Sequence, residues 1–277
     1  MKKLVSTLLS LVFAAGLGTA ALAAGDSEHH KKPEEQKWSF SGPFGMYDKA
    51  QLQRGLKVYI EACAACHSLD RIAFRNFEAL GYSEEQVKSL AAEYEVTDGP
   101  NEEGEMFERP AIPADYFPNP FPNPEAAAYA NNGAAPPDFS LIAKARGSIR
   151  GFPQFVIDIF TMYAEGGPDY IHALLTGYEE PPEGVEVTEG TYYNPYFLNG
   201  ISLAMPPPLD DELVTYDDGT PETVDQYSRD VSAFLMWAAE PKLETRKSLG
   251  FKVIIFILIF SGLLYLSKKS VWSRVEH

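Results

Sequence analysis

Cys63-Ala64-Ala65-Cys66-His67 holds both cysteines of a 277-residue chain, with one of its five histidines directly behind them. Two thiols at this spacing can each add to one vinyl group of a haem, and the adjoining imidazole can then turn onto the iron. The pattern predicts one covalent haem c, with Cys63 and Cys66 as attachment points and His67 as an axial ligand. A plain disulfide, a zinc half-site and a thioredoxin-like dithiol are the competing uses. Structural zinc takes four ligands, usually from two such pairs, and the sequence has no second pair. A redox dithiol belongs in a βαβ setting, which is not visible here.

The second axial position of such an iron decides its chemistry. A methionine thioether raises the potential, a histidine lowers it, and an open position leads to gas binding or peroxide chemistry. Of the six methionines, Met1 is expected to leave with a leader and Met236 falls inside a helical pattern, while Met46, Met106 and Met162 have no special backbone setting. Met205 differs because it heads Met205-Pro206-Pro207-Pro208, where stiff backbone can hold a thioether at fixed distance. On pattern alone a gap-filling role for Met205 stays open, as does His172, a lone histidine in a helical stretch.

These groups need a domain to position them, and the chain ends indicate where it works. Met1-Lys2-Lys3, an apolar run over 4–17 and Ala21-Leu22-Ala23 form the three parts of a secretory signal, expected to occupy residues 1–23. Residues 249–267 are apolar apart from Lys252 and span about 28 Å as a helix, enough for a bilayer core with Lys252 snorkelling. The expected product is a single-pass protein of the bacterial inner membrane. Residues 24–248 form its periplasmic domain, 249–267 contact membrane lipid, and 268–277 are a cytoplasmic tail. Lys and Arg flank the span on both sides, so the leader sets this orientation. Of 23 Lys+Arg and 39 Asp+Glu, two cations lie in the leader, and four cations and one acid lie beyond residue 248. The domain is left with 17 cations against 38 acids, a charge of about −21. Such a surface argues against nucleic acid and for a basic partner.

The fold class read from the pattern is mainly α, with long proline-rich loops and one C-terminal transmembrane helix. Trp38, Phe40, Phe44 and Tyr47 read as an arm laid over the domain. Asp48 caps a helix through Leu52, Leu56 and Ile60 into the haem motif, and Gly55 within it fits either a close helix crossing or a loose glycine. Ser83 and Gln86 form a capping box before Val87, Leu90 and Ala91. Eight prolines between Pro110 and Pro137, interleaved with Tyr116, Phe117 and Phe121, predict an ordered wrap over the haem edge, neither helix nor sheet. Helices are predicted over 138–146, 153–165, 168–176 and 224–239, with a bend at Pro241 before the anchor. Residues 178–200 read as loop, with at most a hairpin around Tyr192 and Tyr193.

Several stretches go beyond pattern: Arg54-Gly55-Leu56-Lys57-Val58-Tyr59, Asp98-Gly99-Pro100-Asn101-Glu102-Glu103-Gly104-Glu105-Met106-Phe107, Asp115-Tyr116-Phe117-Pro118, Asn131-Asn132-Gly133-Ala134-Ala135-Pro136-Pro137-Asp138, Leu174-Leu175-Thr176-Gly177-Tyr178 and Trp237-Ala238-Ala239-Glu240-Pro241. With the haem motif they make the chain, from about Trp38 through the anchor, resemble the cytochrome c1 family of bacterial type, the haem subunit of cytochrome bc1 (ubiquinol to cytochrome c) complexes. The resemblance implies a cytochrome c-like haem domain with thioethers at Cys63 and Cys66 and axial ligands His67 and Met205. It implies Asn131, Pro136 and Pro137 lining the haem, and Arg146 and Tyr170 near its propionates. The implied partners are cytochrome b, the Rieske iron-sulfur protein and a soluble cytochrome c, with single electrons passing from the second to the third and no separate catalytic site on this subunit. Residues 147–167 resemble an insertion found in photosynthetic and related bacteria. Some bacterial members tie the loops near the methionine with a disulfide that this chain cannot form, so the proline run and aromatic packing are the candidates for holding Met205.

Acidic residues Glu102, Glu103 and Glu105, and Glu179, Glu180 and Glu183, could steer a basic cytochrome, with a plain solvated surface as the open alternative for each. Two rival readings remain open. One is a free-standing anchored cytochrome c or an oxidase subunit; the other is a haem enzyme or gas sensor with an open iron.

Overall fold

The computed structural model describes residues 29–147, 150–161 and 163–273. The leader expected at 1–23 and Met162 fall outside the described residues. Asp48 opens α1 (Lys49–Val58), its carboxylate accepting from the Ala50 and Gln51 N–H groups. The helix then widens into a π-helical turn, Tyr59–Cys63, that runs straight into the Cys-x-x-Cys-His segment. After a 3-10 helix (Phe74–Leu80) comes α2 (Glu84–Ala92), opened by the expected reciprocal pair of bonds between Ser83 and Gln86. The acidic run at 101–105 is the tip of an antiparallel hairpin, β1 (Glu95–Asp98) with β2 (Phe107–Pro110).

The proline-rich segment departs from the expected wrap. It contains a short helix, α3 (Pro124–Ala130), where the Asn123 side chain caps the Ala126 N–H and Pro124 sits where no donor is needed. The helix expected over 138–146 shrinks to α4 (Ile142–Ala145). The Asp138 carboxylate is taken up by the Ser68 hydroxyl and the Asp70 N–H, so it ties this segment back to the haem motif. Next come α5 (Gln154–Thr161), shorter than the predicted 153–165, and α6 (Gly166–Thr176), which starts two residues before Pro168. A two-residue hairpin, β3 (Tyr192–Tyr193) with β4 (Ser202–Leu203), forms where expected. The last two helices, α7 (Val224–Ala239) and α8 (Leu243–Trp272), are separate elements on either side of Pro241.

The core is built where α1 crosses α7. A Cβ on Gly55 would collide with the Asp230 carbonyl oxygen and come within 2.6 Å of Phe234 Cβ, so only glycine permits the approach. Beside it the fully buried Asp230 carboxylate accepts from Arg54 Nε at 2.8 Å, Gln51 Nε2 at 3.1 Å and Gln226 Nε2 at 2.9 Å. A buried charge is tolerable only with partners of this kind. The adjacent pair Arg54-Gly55 thus serves one junction twice, by charge and by absence of a side chain. Tyr59, Phe77, Phe117, Phe234 and Trp237 fill the space beneath, with ring centroids of 5.5 Å for Tyr59–Phe117 and 6.4 Å for Phe77–Trp237. Phe117, expected over a haem edge, belongs to this core, while Tyr116 stays exposed.

The N-terminal arm is latched by the Trp38 indole N–H, which donates to Asp169 of α6 at 2.7 Å. Trp38 and Phe40 are buried; Phe44 instead stands exposed and meets Phe251 of α8 edge-on at 5.9 Å. Among the described residues, α8 is the one helix long and apolar enough to cross a membrane, and it extends the expected 249–267 segment at both ends.

Candidate functional site

The π-helical turn lets Tyr59 reach forward. Its ring is buried, and its hydroxyl donates to the His67 carbonyl at 2.9 Å, while the His67 N–H bonds to the Cys63 carbonyl at 2.9 Å. His67 is therefore held through its backbone at both ends. Its Nδ1 lies 2.9 Å from the Pro137 carbonyl, which can only accept, so Nδ1 carries the proton and Nε2 keeps its lone pair. Phe139 stacks on the imidazole at 3.9 Å and 15°. Burial lowers the His67 pKa, outweighing the upward pull of Pro137 and Asp138, and keeps the ring neutral as a ligand must be. Cys63 is buried and Cys66 exposed, with no disulfide between them. Burial, with a further push from Cys66, raises the Cys63 thiol to about 12, the opposite of what a redox dithiol requires.

Pro137 reaches the motif because Phe139 N–H bonds the Ser68 carbonyl at 2.9 Å and Asp138 bonds Ser68 and Asp70. Asn131 and Pro136 are half-buried in the same loop, and Asn131 Nδ2 donates to the Ala127 carbonyl at 2.8 Å at the end of α3. Arg146 closes α4 close enough to buried Tyr170 of α6 to favour its phenolate, although burial raises that pKa overall. The two residues named for propionates are thus brought together.

Met205 is half-buried just after β4. The Tyr178 hydroxyl sits between the carbonyls of Met205, at 3.1 Å, and Pro206, at 3.3 Å. Tyr178 follows α6 directly, and Asn194, next to β3, donates from Nδ2 to the Leu174 carbonyl at 2.8 Å. The end of α6, the β3–β4 hairpin and the Met205 loop therefore form one bonded unit. Sequence reasoning missed this role for Tyr178, although it ends the Leu-Leu-Thr-Gly-Tyr stretch, just past the glycine that stops the helix. Tyr178→Phe in the haem-loaded chain is expected to cost about 1 kcal/mol, seen as a lower urea midpoint with an unchanged slope.

The other candidates are placed elsewhere. His172 is buried with Nε2 3.0 Å from Asp225 Oδ1, a bond that joins α6 to α7 and occupies the ring. Met46 and Met106 are exposed, and Met236 is packed in the core.

Comparison with known proteins gives the family. The family described as Cytochrome C1 family matches residues 38–275. The chain is 56% identical over 277 residues to the cytochrome b/c1 of Bradyrhizobium diazoefficiens, covering 98% of this chain but only 40% of that longer protein. It is 50% identical to the cytochrome c1 of Blastochloris viridis over 97% of this chain and 95% of that one. With the cytochrome c1 of Rhodospirillum rubrum it shares 46% identity over 96% of this chain and 95% of that one. A family match of this extent, with relatives 46–56% identical over nearly the whole chain, places the chain in the cytochrome c1 family.

Proposed function

We propose that the chain is the membrane-anchored electron carrier of a cytochrome bc1 complex, taking single electrons from the Rieske iron-sulfur protein and delivering them to a soluble cytochrome c. Membership of the family implies covalent haem c and cytochrome b as a partner. The observation that carries the reading is His67, neutral, stacked and bonded so that only Nε2 is available. Cys63 and Cys66 would hold the haem, His67 and Met205 its iron, Arg146 and Tyr170 its propionates, and Asn131, Pro136 and Pro137 its flank. Haem c, when bound, supplies a one-electron couple between ferric and ferrous iron.

The chain's own residues keep that couple fast and confined. Pro137 and Phe139 prevent His67 from turning, and Tyr178 holds the Met205 loop, so neither ligand has to move when the charge changes. α8 would fix the domain to the bacterial inner membrane in a single pass, haem domain in the periplasm and C-terminus in the cytoplasm. Glu102, Glu103 and Glu105 project from the hairpin tip, and Glu180 and Glu183 from the loop after α6, all exposed. Glu179 is paired with Lys31 at 2.6 Å and contributes less. Such charges would steer a basic cytochrome c over roughly a Debye length, about 8–10 Å at moderate salt.

Gentle detergent extraction followed by stopped-flow reduction of a basic cytochrome c tests this. Cytochrome b and the iron-sulfur protein are expected to remain bound, and the bimolecular rate to fall steeply between low and high salt. A chain that extracts alone and reacts at a salt-independent rate would instead be a free-standing anchored cytochrome.

A further inference from the structure

Helix α5 is amphipathic in the reverse sense for a soluble domain. Phe152, just before it, and Phe155, Ile159 and Phe160 fall within one side of the helix and are all exposed, Phe152 and Phe160 by 82% each, while Ile157 is exposed on another side. The helix positions that are half-buried are Val156 and Asp158. Asp158 lies 3.4 Å from Arg150, and that guanidinium is over the Tyr163 ring at 4.2 Å and 2.9 Å from Glu35. Tyr163 in turn donates to buried Asp169 at 2.6 Å. Asp158 is thus tied on the inner side of the helix, and the apolar stripe lies on the outer one.

The stripe is also close to where the anchor turns apolar. Lys247 of α8 donates to the Phe40 carbonyl at 2.6 Å, and Phe44 lies against Phe251, so residues 40–45 wrap the entrance of the membrane span. Ser41 and Gly42 of that wrap line one surface cleft with Ile157 and Thr161 of α5. α5 therefore lies beside the residues that wrap the entrance of the span.

We infer that α5 is an interfacial membrane helix: its Phe152, Phe155, Ile159 and Phe160 stripe enters the lipid headgroup and acyl boundary beside the anchor, making a second attachment that fixes how the domain stands on the bilayer. The only charge on α5, Asp158, is paired with Arg150, so the attraction is apolar and needs no anionic lipid. The inference rests on α8 crossing the membrane, and its test separates the two.

Both native cysteines are consumed in the haem-loaded chain, so single nitroxide labels can be placed at Ile159→Cys and, as a second site, Phe152→Cys. Leu258→Cys within α8 and Glu125→Cys on α3 serve as references. The full chain with its co-purifying subunits is reconstituted in phosphatidylcholine vesicles, and accessibility to oxygen and to a water-soluble nickel chelate is measured. The labels at 159 and 152 are expected to favour oxygen and to lie about 5–10 Å inside the boundary, with several-fold lower nickel access than the label at 125. High nickel access at both would overturn the interfacial helix while a lipid-buried label at 258 keeps the anchor. Low access to both reagents would overturn it in favour of a covering protein subunit. A water-accessible label at 258 would instead contradict the anchor, and the inference with it.

Discussion

Met205→Leu in the full, haem-loaded chain is expected to lower the midpoint potential by a few tenths of a volt, a sizeable part of the roughly 0.8 V over which axial ligands set haem potentials. Leucine conserves volume but offers no lone pair, so the loop geometry held by Tyr178 survives while the sulfur is lost. The same variant is expected to bind exogenous ligands and to lose electron delivery to a high-potential acceptor. Potentiometric titration of wild type and variant decides it. A shift of only a few tens of millivolts would show that Met205 merely fills space and that the iron is held by another group.

Gly55→Ala is the second large effect, and it acts on the fold. One methyl group would have to occupy the space of the Asp230 carbonyl, so α1 and α7 must separate along the line where Arg54 meets Asp230. Overpacking of this kind costs about 1–3 kcal/mol, and the upper end applies because the obstacle is backbone. For a domain of this size that corresponds to a thermal midpoint about 6–12 °C lower. Gly151→Ala, where an added Cβ meets nothing within 4 Å, is the control and should leave the midpoint nearly unchanged. An equally small shift for Gly55→Ala would mean that the crossing is looser than the atoms indicate.

How far the chain could be read in advance depended on whether the determining contacts were local. Asp48, Ser83–Gln86 and the proline at 241 act on their own neighbours, and the helix boundaries they predict are found. Gly55 fitted a close crossing and a loose glycine equally well, because the Asp230 carbonyl that decides between them lies on a distant helix. The haem motif was legible for the same reason, with all its groups inside five residues. Asp138 misled because a carboxylate before an apolar run signals a cap only when nothing distant competes, and Ser68 and Asp70 compete for it across about 70 residues of chain. The β1–β2 hairpin was hidden by its acidic tip, and Tyr178 by the fact that its partners, the Met205 and Pro206 carbonyls, are backbone groups without any sequence signature. The helix over 153–165 was predicted as a helix only, since packing alone shows which side it turns outward.

We propose a haem iron held on both sides, by His67 and by Met205, in a domain that passes electrons and binds nothing small. Carbon monoxide added to the ferrous, undamaged full-length chain tests it most directly. The expected visible spectrum is the same before and after addition, at saturating gas and over minutes. A stoichiometric adduct forming in wild type, at a rate comparable with that of Met205→Leu, would contradict it.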